Sequence, residues 1–270
     1  MKNLKFLYLL IGLGLLALVL AHTDLDQLWD QTVRVGWGIG VILAIYLAAF
    51  VLDSVSWQLA LLPLKFDLSN TYRIWKIRMI GEAVNHATPL ATMGGEPVKA
   101  VLLKKNFGMG YRESTASLII AKTTNLLALI VFLTAGFYLM LATQALPSSY
   151  NLVAGTGLLA FTVVIILFFL VQRYKISSIA STWMARTRLG RFLEVLLHHI
   201  HDVENRLIHF YTRHRQRFIL ACLLAIANWM IGTLELYVTL WFLGHPVTFG
   251  EAWIIEAIAQ LVRSGTFFIP

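Results

Sequence analysis

The sequence predicts an all-α fold, a polytopic inner-membrane helical bundle carrying re-entrant helical hairpins. Three observations carry that prediction. Hydrophobic residues make up 58% of the 270, charged residues only 13%, and mean hydropathy is +0.72; a soluble domain holds about 45–50% apolar and about 25% charged residues. Five segments read as membrane spans. Two more are helical in pattern, yet too polar for a span and broken by proline or glycine. The composition argues against a soluble enzyme, a disordered chain and a nucleic-acid-binding module, despite the net charge of +8. Cys222 is the single cysteine, so no intramolecular disulfide forms and a cysteine-based metal site is not expected.

A hydrocarbon core about 30 Å thick needs roughly 20 helical residues to cross it. Segments 37–62, 115–141, 151–171 and 218–243 meet that requirement, and 6–21 is short but wholly apolar behind Lys2 and Lys5. This first segment reads as an uncleaved anchor. The alternative is a signal peptide, because Val19-Leu20-Ala21 ends in a small residue, although Val19 is larger than the usual alanine.

The N-terminus, 63–112 and 172–217 hold 2, 8 and 9 of the 22 Lys and Arg residues. These stretches alternate consistently with the acidic or neutral loops at 22–36, 142–150 and 244–250, which places the N-terminus in the cytoplasm. The net charge is thus mostly a topology signal. Within 186–213, Leu189, Phe192, Leu193, Leu196, Ile200, Val203, Leu207 and Phe210 recur at three- and four-residue steps, opposite Arg191, Glu194, His198, Asp202 and Arg206. A basic amphipathic helix on the anionic inner leaflet explains this pattern. His198, His201 and Asp202 share a helical face, but nothing completes a coordination sphere, so neither a metal nor another cofactor is expected.

The chemistry concentrates in 73–105, RIWKIRMIGEAVNHATPLATMGGEPVKAVLLKK. A short helix over 74–87 is broken by Pro89 and by Gly94-Gly95, and Glu96-Pro97 opens a second. Both ends are basic, so the chain goes in and comes back. Irregular backbone at membrane depth is tolerated only against protein or a water-filled cavity. The turn therefore lines such a cavity, and the helix beginning near Glu96 offers amides to an anion such as a lipid phosphate. The alternative is an interfacial cytoplasmic hairpin. A second odd segment, within VTFGEAWIIEAIAQLVRSGTFFIP (247–270), carries Glu251, Glu256, Gln260 and Arg263 and ends at Pro270. Setting Pro270 against Pro89 gives helix-then-proline segments approached from opposite sides, the pattern of an inverted repeat.

Polar groups inside the spans add to the site. Asp53, Lys122, Asn125, Asn228 and Glu235 lie at depths where an ionisable group costs a few kcal/mol and needs a partner. Lys122 is expected to pair with Glu82 or Glu96, or else to reach the cytoplasmic interface along its own stem.

IGEAVNHATPLATMGGEPVKAVLL, then Lys122, then LVRSGTFFIP resemble the flippase-like lysylphosphatidylglycerol synthase transmembrane family, and DSVSWQLALLP with IGEAVN is similar to its hopanoid-associated branch. The resemblance covers most of the chain, and the spaced N-P-GGE element is its most specific part. It implies a bacterial inner-membrane domain that moves or presents lipids, in some members fused to a cytoplasmic aminoacyltransferase. It also implies a first hairpin built on Asn85, Pro89, Gly94, Gly95 and Glu96, a membrane cation at Lys122, and a second hairpin beginning with Arg263 and Pro270. No synthase domain follows, so aminoacyl transfer is not expected. The family's second hairpin continues past its proline, so the chain is expected to be truncated at its C-terminus.

Three functions remain open from the sequence. The leading one is a flippase-like transporter whose partners are membrane lipids: Glu82, His86, Glu96, Lys99, Lys122, Asn125, Glu256, Gln260 and Arg263 supply headgroup contacts. The second is a membrane-embedded enzyme or accessory subunit in phospholipid, hopanoid or polyprenyl-linked biosynthesis, with Glu82, His86 and Glu96 doing acid–base work. HExxH and GxSxG are both missing, and no GxxxxGK[ST] loop occurs to bind ATP. The third is a structural partner of a biosynthetic enzyme.

Overall fold

The computed structural model describes residues 24–87, 94–144, 148–173 and 194–265. Among these residues there are nine helices: α1 Leu25–Val35, α2 Gly38–Ala60, α3 Leu68–Ala87, α4 Gly95–Phe107, α5 Tyr111–Thr143, α6 Ser148–Arg173, α7 Glu194–Arg213, α8 Arg215–Phe242 and α9 Phe249–Gly265. Four segments are long and apolar enough to cross a membrane: α2, α5, Leu152–Leu170 within α6, and α8. The segment 6–21 lies outside the described residues, as do 186–193 and the turn at 88–93. The chain is all-α and multi-pass.

α1 corrects the expectation of a plain loop over 22–36. Asp24 caps it by accepting the Gln27 amide at 3.1 Å, and Gly36 ends it with φ of +52°. The acidic residues read there as loop composition include the cap and first turn of a helix. Arg34 then donates to the Leu243 carbonyl at 3.4 Å, which joins α1 to the end of α8.

α8 packs along α2 and α5, and α3 packs on α4. Two apolar clusters hold this arrangement. At the end where α2 stops and α5 starts, Trp57, Leu61, Ile74, Leu103 and Ile120 are buried together with Leu207 and Phe210 of α7. Part of the apolar face of the amphipathic helix thus lies on the bundle. A 3.6-residue apolar period shows that a face is covered, not whether protein or lipid covers it. In the second cluster Phe132 stacks on Trp229 and Trp253, with ring centroids 5.6 and 5.5 Å away. Gly136 admits α9 here, since a methyl in its place would sit 2.6 Å from Cβ of Ala257. α5 has 33 residues and is therefore about 50 Å long. It exceeds a hydrocarbon core of about 30 Å, and Glu113 stands in its first turn.

Candidate functional site

The site begins with two glycines. A methyl on Gly95 would overlap the Gly81 carbonyl oxygen and stand 2.7 Å from its carbon, so α3 and α4 touch backbone to backbone. At this crossing the Gly95 amide donates to Oδ1 of Asn85 at 2.7 Å. Asn85, on the preceding helix, therefore caps α4. Its other end donates from Nδ2 to Oε2 of Glu82 at 3.3 Å. The Gly95 amide is accordingly occupied, and Pro97 has no N–H. Of the leading amides of α4 that would meet an anion, that of Glu96 remains to do so.

Glu96 and two lysines form the charged centre. Oε1 of Glu96 lies 3.1 Å from Nζ of Lys99 and 3.3 Å from Nζ of Lys122. The expected contact between Lys122 and one of the hairpin glutamates is thus made with Glu96. Lys99 is buried over Gly81, while the Lys122 side chain is 51% exposed. Burial pushes the Lys99 ammonium below its ordinary value, and the Glu96 carboxylate opposes that shift. Oε2 of Glu96 is buried and has no hydrogen-bond partner among the described residues. The cluster therefore contains one carboxylate against two ammoniums, with one acceptor oxygen unused.

Glu82 closes the hairpin on its α3 side. Its Oε1 lies 3.7 Å from Nε2 of His86, whose side chain is 72% exposed. Gly94 sits in the turn before α4, while Pro89 falls outside the described residues. Asn125, half-buried, follows Lys122 by three residues on α5. The hydroxyls of Thr123 and Thr124 beside it bond back to Ile119 and Ile120 carbonyls at 2.9 and 3.1 Å.

Asp53 finds a partner the sequence analysis missed. It pairs with Arg78 of α3, whose guanidinium also lies 5.4 Å from the Phe50 ring centroid. Arg78 stands four residues before Glu82, on the same helical face. Counting it as one more topology-setting cation concealed it.

The remaining candidates form a separate group. Gln260 donates to Oε1 of Glu256 at 2.7 Å, Glu256 is within electrostatic range of Glu235, and Arg263 is exposed near the end of α9. The described ion pairs join Glu96 to Lys99 and Lys122 and leave Glu256 and Glu235 apart. Asn228 has a buried Oδ1 with no hydrogen-bond partner among the described residues. No group of three or more His, Cys, Asp or Glu among the described residues is placed to hold a metal ion. The side chains of His198, His201 and Asp202 lie outside what the structure describes.

Four apolar spans with a charged helical hairpin packed against them define a polytopic helical membrane protein. The chain belongs to the lysylphosphatidylglycerol synthase TM region family, whose model matches residues 5–265. No curated protein and no solved structure matches it.

Proposed function

We propose that this protein is a flippase-type lipid transporter in which the α3–α4 hairpin holds a phospholipid headgroup while the acyl chains stay in the bilayer. One observation supports the proposal above the others: Glu96 is shared by Lys99 and Lys122. One carboxylate between two ammoniums leaves a positive charge uncompensated, and a phosphodiester carries one negative charge to match it. The unused Oε2 of Glu96 would accept from a headgroup hydroxyl or ammonium. The hairpin is re-entrant in this proposal, reaching in from the cytoplasmic side of a bacterial inner membrane, and the N-terminus is cytoplasmic. α9 is the start of a second, inverted hairpin, with Glu256, Gln260 and Arg263 facing the same route. A dedicated ATP site is not needed for downhill lipid movement.

The test is headgroup translocation in proteoliposomes made with the full chain. A phospholipid bearing a fluorescent headgroup is loaded on both leaflets, and an impermeant reductant is added outside. The expected result is protein-dependent loss of the protected inner-leaflet signal, with the lipid recovered chemically unchanged. Recovery of a covalently altered lipid would replace the transporter with the membrane-enzyme alternative. A protected fraction equal to that of empty liposomes would remove the transport proposal.

A further inference from the structure

Away from the hairpin, a cavity of about 440 Å³ opens between the α2–α3 connection, the first turns of α5, and α7. It shares no lining residue with the Glu96 cluster. Along α5 its wall is Glu113, Ala116, Ser117 and Ile120, spaced so that all four fall on one helical face. Over the seven steps from Glu113 to Ile120, about 10 Å of helix, the wall changes from a carboxylate to a branched alkyl group. α7 contributes Asn205, Arg206 and His209, again on one face. Leu62, Pro63 and Met109 supply apolar lining from the adjoining connections.

The polar end holds one charge of each sign. Nη1 of Arg206 lies 3.0 Å from Oε1 of Glu113, and the two side chains are 46% and 34% exposed. A guanidinium has five N–H donors, so this bond leaves Arg206 able to engage a second acceptor. A purely anionic ligand would meet Glu113 as well as Arg206 and lose much of what it gained. A headgroup carrying both phosphate and ammonium would satisfy both residues without changing the net charge of the site. The volume falls within the range of small-ligand pockets, about 300–1,000 Å³. The gradient along α5 would let glycerol and the first methylenes follow the headgroup inward.

We infer that the cavity between α5 and α7 is a second lipid site, selective for a zwitterionic phospholipid headgroup, with phosphate on Arg206 and ammonium on Glu113. The Glu113–Arg206 contact is the latch that the headgroup opens and replaces. Ser117 serves as wall rather than ligand, because its hydroxyl already accepts from Nε1 of Trp57 at 3.3 Å and donates to the Ser114 carbonyl at 2.8 Å.

The experiment is photolabelling of the purified full chain with short-chain phosphatidylethanolamine carrying a photoreactive group on one acyl chain. A phosphatidylglycerol probe with identical chains provides the anionic comparison. On the unmutated protein the label should map to residues 109–120 and 203–210, with the phosphatidylethanolamine probe labelling about tenfold more than the anionic one, the value of one charge-assisted contact. Arg206→Gln and Glu113→Gln should each reduce this labelling about tenfold on the same grounds, whereas Lys122→Gln should leave it unchanged. Equal labelling by the two probes would overturn the selectivity. Label confined to 81–99 would overturn this site while favouring the hairpin. The unmutated protein's peptide map decides the matter even if a variant fails to fold.

Discussion

Two half-buried carboxylates sit on neighbouring parts of this bundle and are treated differently. Asp53 on α2 meets one cation, Arg78, and the charges balance. Glu96 on α4 meets two, Lys99 and Lys122, and one of its oxygens is buried with no hydrogen-bond partner among the described residues. A balanced pair completes itself and leaves nothing for a ligand to do. An unbalanced cluster with an unused acceptor remains electrically unfinished, and a group of matching charge would lower that cost. Asp53–Arg78 joins α2 to α3, whereas Glu96–Lys99–Lys122 is the cluster to which the proposed function gives binding.

The largest expected effect breaks the balanced pair from one side. Asp53→Asn leaves the guanidinium of Arg78 without its counter-charge and should destabilise the fold by about 3 kcal/mol, near the lower end for a buried pair because both side chains keep some exposure. Replacing both residues, Asp53→Leu with Arg78→Leu, should recover most of that loss in thermal melts of detergent-purified protein. A double variant as unstable as the single one would show that Arg78 has another role. Next comes Gly95→Ala, which forces a methyl into the Gly81 carbonyl. The α3–α4 crossing must open, at a cost of about 2–3 kcal/mol, read as a lower melting temperature of the detergent-purified variant than of the parent; equal melting temperatures would contradict the backbone contact.

The smallest effect lies far from both carboxylates, at the start of α9. Thr248 and Glu251 cap each other: the Thr248 amide donates to Glu251 at 2.7 Å and the Glu251 amide donates to the Thr248 hydroxyl at 3.2 Å. The bond from the Thr248 amide holds the Glu251 carboxyl below its ordinary range, with the Thr248 hydroxyl adding to the shift. A lowered folded value means that the stabilisation is present above the ordinary carboxylate value and disappears as pH falls through the lowered one. The difference in melting temperature between the parent and Glu251→Gln should therefore shrink on acidification. A gap that widens in acid would contradict the assignment.

The elements visible in the sequence were those with a strong period or a strong breaker. Apolar runs announced α2, α5, α6 and α8, and the Gly94-Gly95 break announced the division between α3 and α4. α1 escaped because three aspartates over seven residues look like a loop until Asp24 is recognised as a cap. The site was half legible. Glu96 and Lys122 are 26 residues apart, yet each is a charge where apolar neighbours prevail, and that anomaly is local and readable. Arg78 was not readable in the same way, since a cation in a basic stretch is explained by orientation alone. The covering of Leu207 and Phe210 depended on long-range packing, which no periodicity encodes.

The claim that the unbalanced cluster binds while the balanced pair supports is tested most directly by one comparison of rates. Headgroup translocation is measured in proteoliposomes containing the parent, Glu96→Gln, or Asp53→Leu with Arg78→Leu, each normalised to folded protein. Glu96→Gln should lower the initial rate about tenfold, as expected for losing a charge-assisted contact, and the double variant should retain the parental rate. Equal losses in both, or parental rates from Glu96→Gln, would contradict the account.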